Sequence, residues 1–271
     1  MKALIKTAKL ACVLICMSCV LLAQPQSASK QPAEKHVPQA KTKAEYNDYN
    51  TAYAVSGGPA SEKAADDFAA KYPGSELTIF LYSRAMHEYQ TENNKGKIEV
   101  MGNKVLQFDP DNPIALVLTA TVMADNLATS DADQDRRVAA IKKNGTHALQ
   151  TINSDFAPGA NVSPEQLAAY KKTLESMAHA ALGIAALKSG DDAGAEKELK
   201  TAADVNSSQP DPYVWYHLAL AQDHQKKYPE ALVSVNQAVK YAGSDPDLAS
   251  LAKGEQTRLQ TLNQATAGTP Q

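Results

Sequence analysis

Apolar residues recur in short helix-period stretches along this 271-residue chain, with no strand-like alternation. Ala52, Met86 and Ala120 stand at equal intervals of 34 residues, and Gly183 and Ala219 occupy the same local context 36 residues apart. Each lies inside one amphipathic stretch and is followed by a second. Such a rhythm, with small residues at fixed points, predicts stacked antiparallel helical hairpins. The expected fold is all-α: an α-solenoid of about five hairpins with a C-terminal capping helix.

The punctuation between stretches divides the chain in the same way. Residues 45–55 and 60–72 make a first pair, separated by Gly57-Gly58-Pro59 and stopped by Pro73-Gly74. Residues 77–90 and 97–108 follow, with Asn93-Asn94-Lys95-Gly96 as the turn. Asn112-Pro113 opens a helix over 114–127, whose partner spans about 135–152 after a polar insertion, Ala128 to Gln134. Ser163-Pro164-Glu165-Gln166 reads as a capped helix start with Pro in the first turn and Gln three residues after the Ser. That helix runs to Lys188, stops at Ser189-Gly190, and pairs with 193–205. The clearest hairpin is 213–225 with 228–241, in which small residues let the two axes approach closely. Asp245-Pro246 starts a last helix, to about 265, with one polar face suited to sealing the array.

Composition changes the picture mainly at the N-terminus. Lys2, Lys6 and Lys9 precede an uncharged, mostly apolar run over 10–23. It is shorter than the ~20 residues a membrane-spanning helix needs. Residues 1–23 therefore read as a signal peptide cut after Ala23, with a retained anchor or lipidation at Cys19 as alternatives. All three cysteines, Cys12, Cys16 and Cys19, fall inside it, so a processed chain has no thiol chemistry and no Cys-ligated zinc. Residues 24–42, rich in Gln, Pro, Ala, Ser and Lys, read as a disordered linker. Residues 43–265 form the repeat domain and 266–271 a flexible tail. Of 27 basic residues, 24 remain after cleavage against 30 acidic ones, a mild net acidity. No basic stripe with interleaved aromatics is present, which argues against nucleic acid. The expected location is outside the inner membrane, periplasmic or secreted, with membrane contact only through the N-terminus.

The residues resemble the tetratricopeptide repeat (TPR) family. Trp215-x2-Leu218-Ala219, then Tyr228-x2-Ala231, Val235 and Ala238, carry the closest match. The preceding unit repeats much of it in Leu182-Gly183, Gly190, Ala195, Leu199 and Ala202, and Tyr82, Tyr89, Val105 and Asp109-Pro110 keep a trace. Gly102 stands where the family has a large apolar residue, Met86 where it has a small one, and Lys71 replaces a small residue. The stretch from Phe68 to Ser75 also resembles repeats of bacterial envelope-assembly proteins. The resemblance implies an exported bacterial TPR protein whose partner lies on the concave side of each first helix. Carried over, the groove residues are Tyr213, Tyr216, His217, Leu220, Asp223 and His224 in the last unit. Phe80, Ser83, Arg84 and His87 take those positions in the second unit, and Met177, Ala180, Ile184 and Lys188 in the fourth. For Tyr213 and Tyr216, packing against the neighbouring unit is the alternative. The implied groove is aromatic and mixed, suited to a peptide or helix with apolar anchors.

Candidate chemistry adds little. His217 and His224 share a helix face about 10.5 Å apart, too far to hold one metal ion directly. No HExxH, phosphate loop, nucleophile elbow or dinucleotide fingerprint occurs. The acidic run Asp131 to Asp135 lacks the Gly and distal Glu of a calcium loop. The sequence thus predicts a non-enzymatic scaffold or adaptor of the bacterial envelope, with no cofactor, no metal and a protein or peptide partner. The alternative is a module that binds an envelope glycan or lipid in a pocket near the 128–134 insertion.

Overall fold

The 34-residue rhythm becomes a run of paired helices in a computed structural model that describes residues 38–128, 132–153, 162–243 and 245–267. The first pairs are α1 (Lys43–Tyr53) with α2 (Gly58–Lys71), α3 (Thr78–Thr91) with α4 (Lys95–Phe108), and α5 (Pro113–Asp125) with α6 (Gln134–Thr151). Then come α7 (Pro164–Lys188) with α8 (Asp192–Val205), α9 (Pro212–His224) with α10 (Tyr228–Tyr241), and finally α11 (Pro246–Ala267). Among the described residues there is no strand. Every helix packs on the next one in sequence, so the fold is an all-α solenoid.

Local chemistry sets the ends. Ser163 makes the full reciprocal capping box with Gln166. The Asn112 side chain accepts from Ala115 N at 3.1 Å, Asp211 from Tyr213 N at 2.8 Å, and Asp245 from Leu248 N at 3.0 Å. A proline follows each of these caps, where its missing N–H costs nothing. One turn position recurs in three hairpins with a left-handed backbone: Asn93 (φ 56°), Gly190 (φ 79°) and Lys226 (φ 60°). The next residue caps the second helix through its side chain in Asn94 and Asp191, while Lys227 makes no such bond.

The core changes character along the array. At the N-terminal end it is aromatic: Phe68, Tyr82 and Tyr89 are buried, and Tyr49 meets Phe68 edge-on at 6.3 Å. Burial, with Glu62 accepting the phenol hydrogen bond, holds the Tyr89 hydroxyl well above its usual range. In the middle the core is alanine-rich. Two departures from the repeat pattern compensate one another: a Cβ on Gly102 would collide with Thr119 Oγ1 and lie 3.5 Å from the sulfur of Met86. The large side chain of α3 thus lies beside the position that α4 leaves empty. Gly183 meets Leu199 as closely, its missing Cβ 2.6 Å from Leu199 Cγ.

Polar bonds between units step about one repeat. They join Gly58 to Glu92, Lys97 to Glu62, Lys95 to Asp125, His147 to Asp111, Tyr213 to Asp245 and Arg258 to Asp223, all separated by 30 to 36 residues. Lys188 reaches further. Its Nζ donates to the carbonyls of Ala124, Asp125 and Leu127 at 2.9, 3.3 and 2.6 Å, across 61 to 64 residues, and so closes the C-terminal end of α5.

The chain is pinned before residue 43: Gln39 N donates to Glu76, and Lys41 Nζ donates to Gly74 O. Glu45, only 2% exposed, gathers this strap by accepting from Lys41 N and from Ser75 Oγ. The Ser75 hydrogen bond leads in holding its carboxyl below the usual range. The signal peptide, the cysteines, most of the linker and residues 268–271 lie outside the described residues.

Candidate functional site: the odd-helix face

Odd-numbered helices also touch one another, α1 with α3, α5 with α7, α7 with α9 and α9 with α11. Among the described residues no two even-numbered helices are in comparable contact. The array therefore bends toward its odd helices, and their open faces form its inner side.

On α9 the six carried-over residues are disposed in different ways. Tyr213 is buried against Ala242 and Leu248, and its hydroxyl donates to Asp245 Oδ2 at 2.9 Å, so it serves the contact with α11 rather than an open groove. Tyr216 is half-buried, edge-on to the His217 ring at 5.7 Å, with burial and the nearby Glu255 raising its phenol pKa. His217 donates from Nδ1 to the Tyr213 carbonyl at 2.8 Å, which leaves the lone pair of the neutral ring on Nε2. Burial lowers its pKa, the Tyr213 bond and Asp125 oppose that, and Lys188 adds to it. Leu220 is half-buried. Asp223 is taken up by Arg258 of α11, which also holds Glu255 at 2.8 Å. His224 is exposed, 2.9 Å from Asp192 on α8. The two histidines thus turn to different neighbours.

The α3 face is a separate patch. Phe80, half-buried, meets Tyr49 edge-on at 6.4 Å. Arg84 lies over the Tyr53 ring at 5.3 Å and pairs with Glu88 at 2.9 Å, while its Nε is buried without a partner among the described residues. Glu88 in turn accepts from Gly57 N at 3.0 Å. Ser83 is half-buried, and His87 is exposed at the patch edge.

Between these patches the expected groove is shut. The α5 positions that match Tyr216, His217 and Leu220 are Val117, Leu118 and Thr121, and those of α7 are Ala180, Ala181 and Ile184; these six are buried, while the flanking matches Ile114, Asp125, Met177, Leu187 and Lys188 are half-buried. Small side chains on the facing surfaces, among them Ala120, Ala124, Ala180, Ala181 and Ala185, let α5 and α7 pack in one core cluster. Ala180 and Ile184 are therefore core residues, Met177 is half-buried against the core, and Lys188 is spent on the α5 carbonyls. The inner side carries two half-open patches instead of one continuous groove.

Sequence reasoning passed over a charged cluster behind α9. Asp211 caps that helix, and burial pushes its carboxyl up to about 6, against the hydrogen bonds from Tyr213 and Val214 and with help from Asp125. Asp125 is itself paired with Lys95 at 2.6 Å. The Asp-Pro start at 211–212 was the available signal for the cap, but the convergence on Asp125 and Lys188 is long-range. In the 128–134 insertion, residues 129–131 lie outside the described residues; at its end, Gln134 donates to Lys188 O at 2.8 Å. Among the described residues no three His, Cys, Asp or Glu side chains are grouped to hold a metal ion. No described helix is long and apolar enough to cross a membrane.

No family model matches the sequence, and no curated protein matches it. Among solved structures, the chain is similar to a thermophilic TPR protein of Thermus thermophilus at 14% identity and a TM-score of 0.47, over 78% of this chain and 98% of that one.

Proposed function

We propose that this protein is a non-catalytic scaffold of the bacterial envelope, exported by its N-terminal segment, that holds a protein or peptide partner on its inner side. The observation that carries this reading is the contrast along that side. Tyr216, His217 and Leu220 stay half-buried on α9 with His224 exposed beside them, whereas the α5 and α7 positions that match Tyr216, His217 and Leu220 are closed by packing. Half-buried aromatic side chains with restricted rotamers are suited to anchoring a partner at low entropic cost. The α3 patch of Phe80, Arg84 and His87 supplies a second, separate contact. A partner that reaches both would have to span the closed α5–α7 segment, which favours an extended or two-point ligand over a single buried helix.

Crosslinked capture from envelope extract tests this, comparing wild type with a Tyr216→Ala/His224→Ala variant whose melting temperature is checked. A protein held by the wild type and lost by the variant supports the reading. Equal capture by both moves the contact away from α9.

A further inference from the structure

A cavity of about 630 Å³ opens on the other side of the array, between α4, the α4–α5 turn and α6. It is unrelated to the inner patches. Leu106, Pro110 and Leu116 give it an apolar floor. The α6 wall consists of two adjoining stripes at helical spacing, Lys142–Thr146–Gln150 and Lys143–His147, with Asn144 at the outer edge of the second. Its size falls in the range of about 300–1,000 Å³ that holds small ligands.

The charges are one-sided. Helix α6 has four Arg and Lys residues against the single acid Asp135, in a chain whose acids outnumber its bases. The lysines of α4 are engaged, Lys95 with Asp125, Lys97 with Glu62 and Lys104 with Asp66. Lys142 and Lys143, by contrast, are exposed and have no hydrogen-bond or ion-pair partner among the described residues. Among the described residues no carboxylate lines the cavity; the nearby Asp111 is occupied with His147 at 2.6 Å, a contact that braces α6 against the α4–α5 turn. Two unpaired ammonium groups above an apolar floor match a ligand with a negative head and a hydrocarbon body.

We infer that the α4–α6 cavity binds a small alkyl carboxylate of the fatty-acid class, its carboxylate between Lys142 and Lys143 and its chain on Leu106, Pro110 and Leu116. The full chain is titrated with 11-(dansylamino)undecanoate, followed by dansyl fluorescence, and the probe is displaced with decanoate. Saturable binding is expected, with decanoate displacing at least tenfold better than decyltrimethylammonium. Lys142→Glu/Lys143→Glu should weaken binding at least tenfold with an unchanged melting temperature, since neither side chain makes a contact the fold uses. Thr146→Trp, which fills the mouth without altering charge, should do the same. Non-saturable binding, equal displacement by the cationic competitor, or a loss under tenfold in the charge-reversed variant overturns the inference.

Discussion

Asp211 places a titratable group where its effect on stability can be worked out and measured. It caps α9 through Oδ1, and burial moves its carboxyl from 3.8 to about 6 in the folded protein. The folded state therefore takes up a proton at a higher pH than the unfolded chain. Stability from this group is fully present below pH 4 and is lost as pH rises through 6, because above that the fold has to keep a buried carboxylate ionised. A shift of about 2 units corresponds to roughly 3 kcal/mol as an upper bound. Asparagine caps a helix about as well as aspartate and carries no charge. Asp211→Asn should thus be near neutral at pH 4 and stabilising at pH 7.5, with the difference between the two pH values approaching roughly 2–3 kcal/mol. His217 works in the opposite direction: its lowered pKa makes the unfolded chain the better proton acceptor as pH falls below about 6.5. The wild-type profile mixes both, so the quantity to measure is the variant-minus-wild-type difference in urea unfolding free energy across pH. A difference that stays constant with pH, or a variant destabilised at pH 7.5, would refute the reasoning.

Three further outcomes follow from described contacts. Lys188→Met strips three carbonyls at the end of α5 of their donor and should cost about 2–4 kcal/mol by chemical denaturation. Lys226→Gly relieves a left-handed backbone that costs a side-chain-bearing residue about 1–2 kcal/mol, less the entropy glycine brings. A net gain of about 1 kcal/mol should raise the melting temperature by about 2–4 °C. Thr121→Val removes a buried hydroxyl that has no partner among the described residues and should stabilise by about 1 kcal/mol, again read from denaturation midpoints.

Most helix ends were legible because their causes are local. Ser163 and Gln166 stand three residues apart, and Asn112 and Asp245 each precede a proline, so cap and stop could be read without knowing the fold. The Met86 and Gly102 departures were legible singly but not as a pair, since their complementarity exists only once α3 and α4 face each other. The closed middle of the groove was missed although α5 advertises it: from Ala115 to Ala124 every residue is buried, a run with no polar face to offer a partner. For Tyr213 the groove and packing readings both stood in the sequence because Asp245, its hydroxyl partner, lies 32 positions away. The cation pair at 142–143 gave no signal of its own, because the floor beneath it comes from α4 and α5.

The reach of Lys188 has a kinetic consequence. Bonds that step one repeat close short loops, so each hairpin can dock on its neighbour without waiting for distant parts of the chain. An array tied only in that way frays from its ends, one unit at a time. Lys188 instead fastens α7 to the end of α5 across two helices and the insertion between them. Opening α6 and α7 then requires surrendering the α5 terminus in the same event. The middle of the chain should unfold as one cooperative block, slower to exchange its amide hydrogens than either end, and Lys188→Met should split that block without altering exchange in α1 or α11.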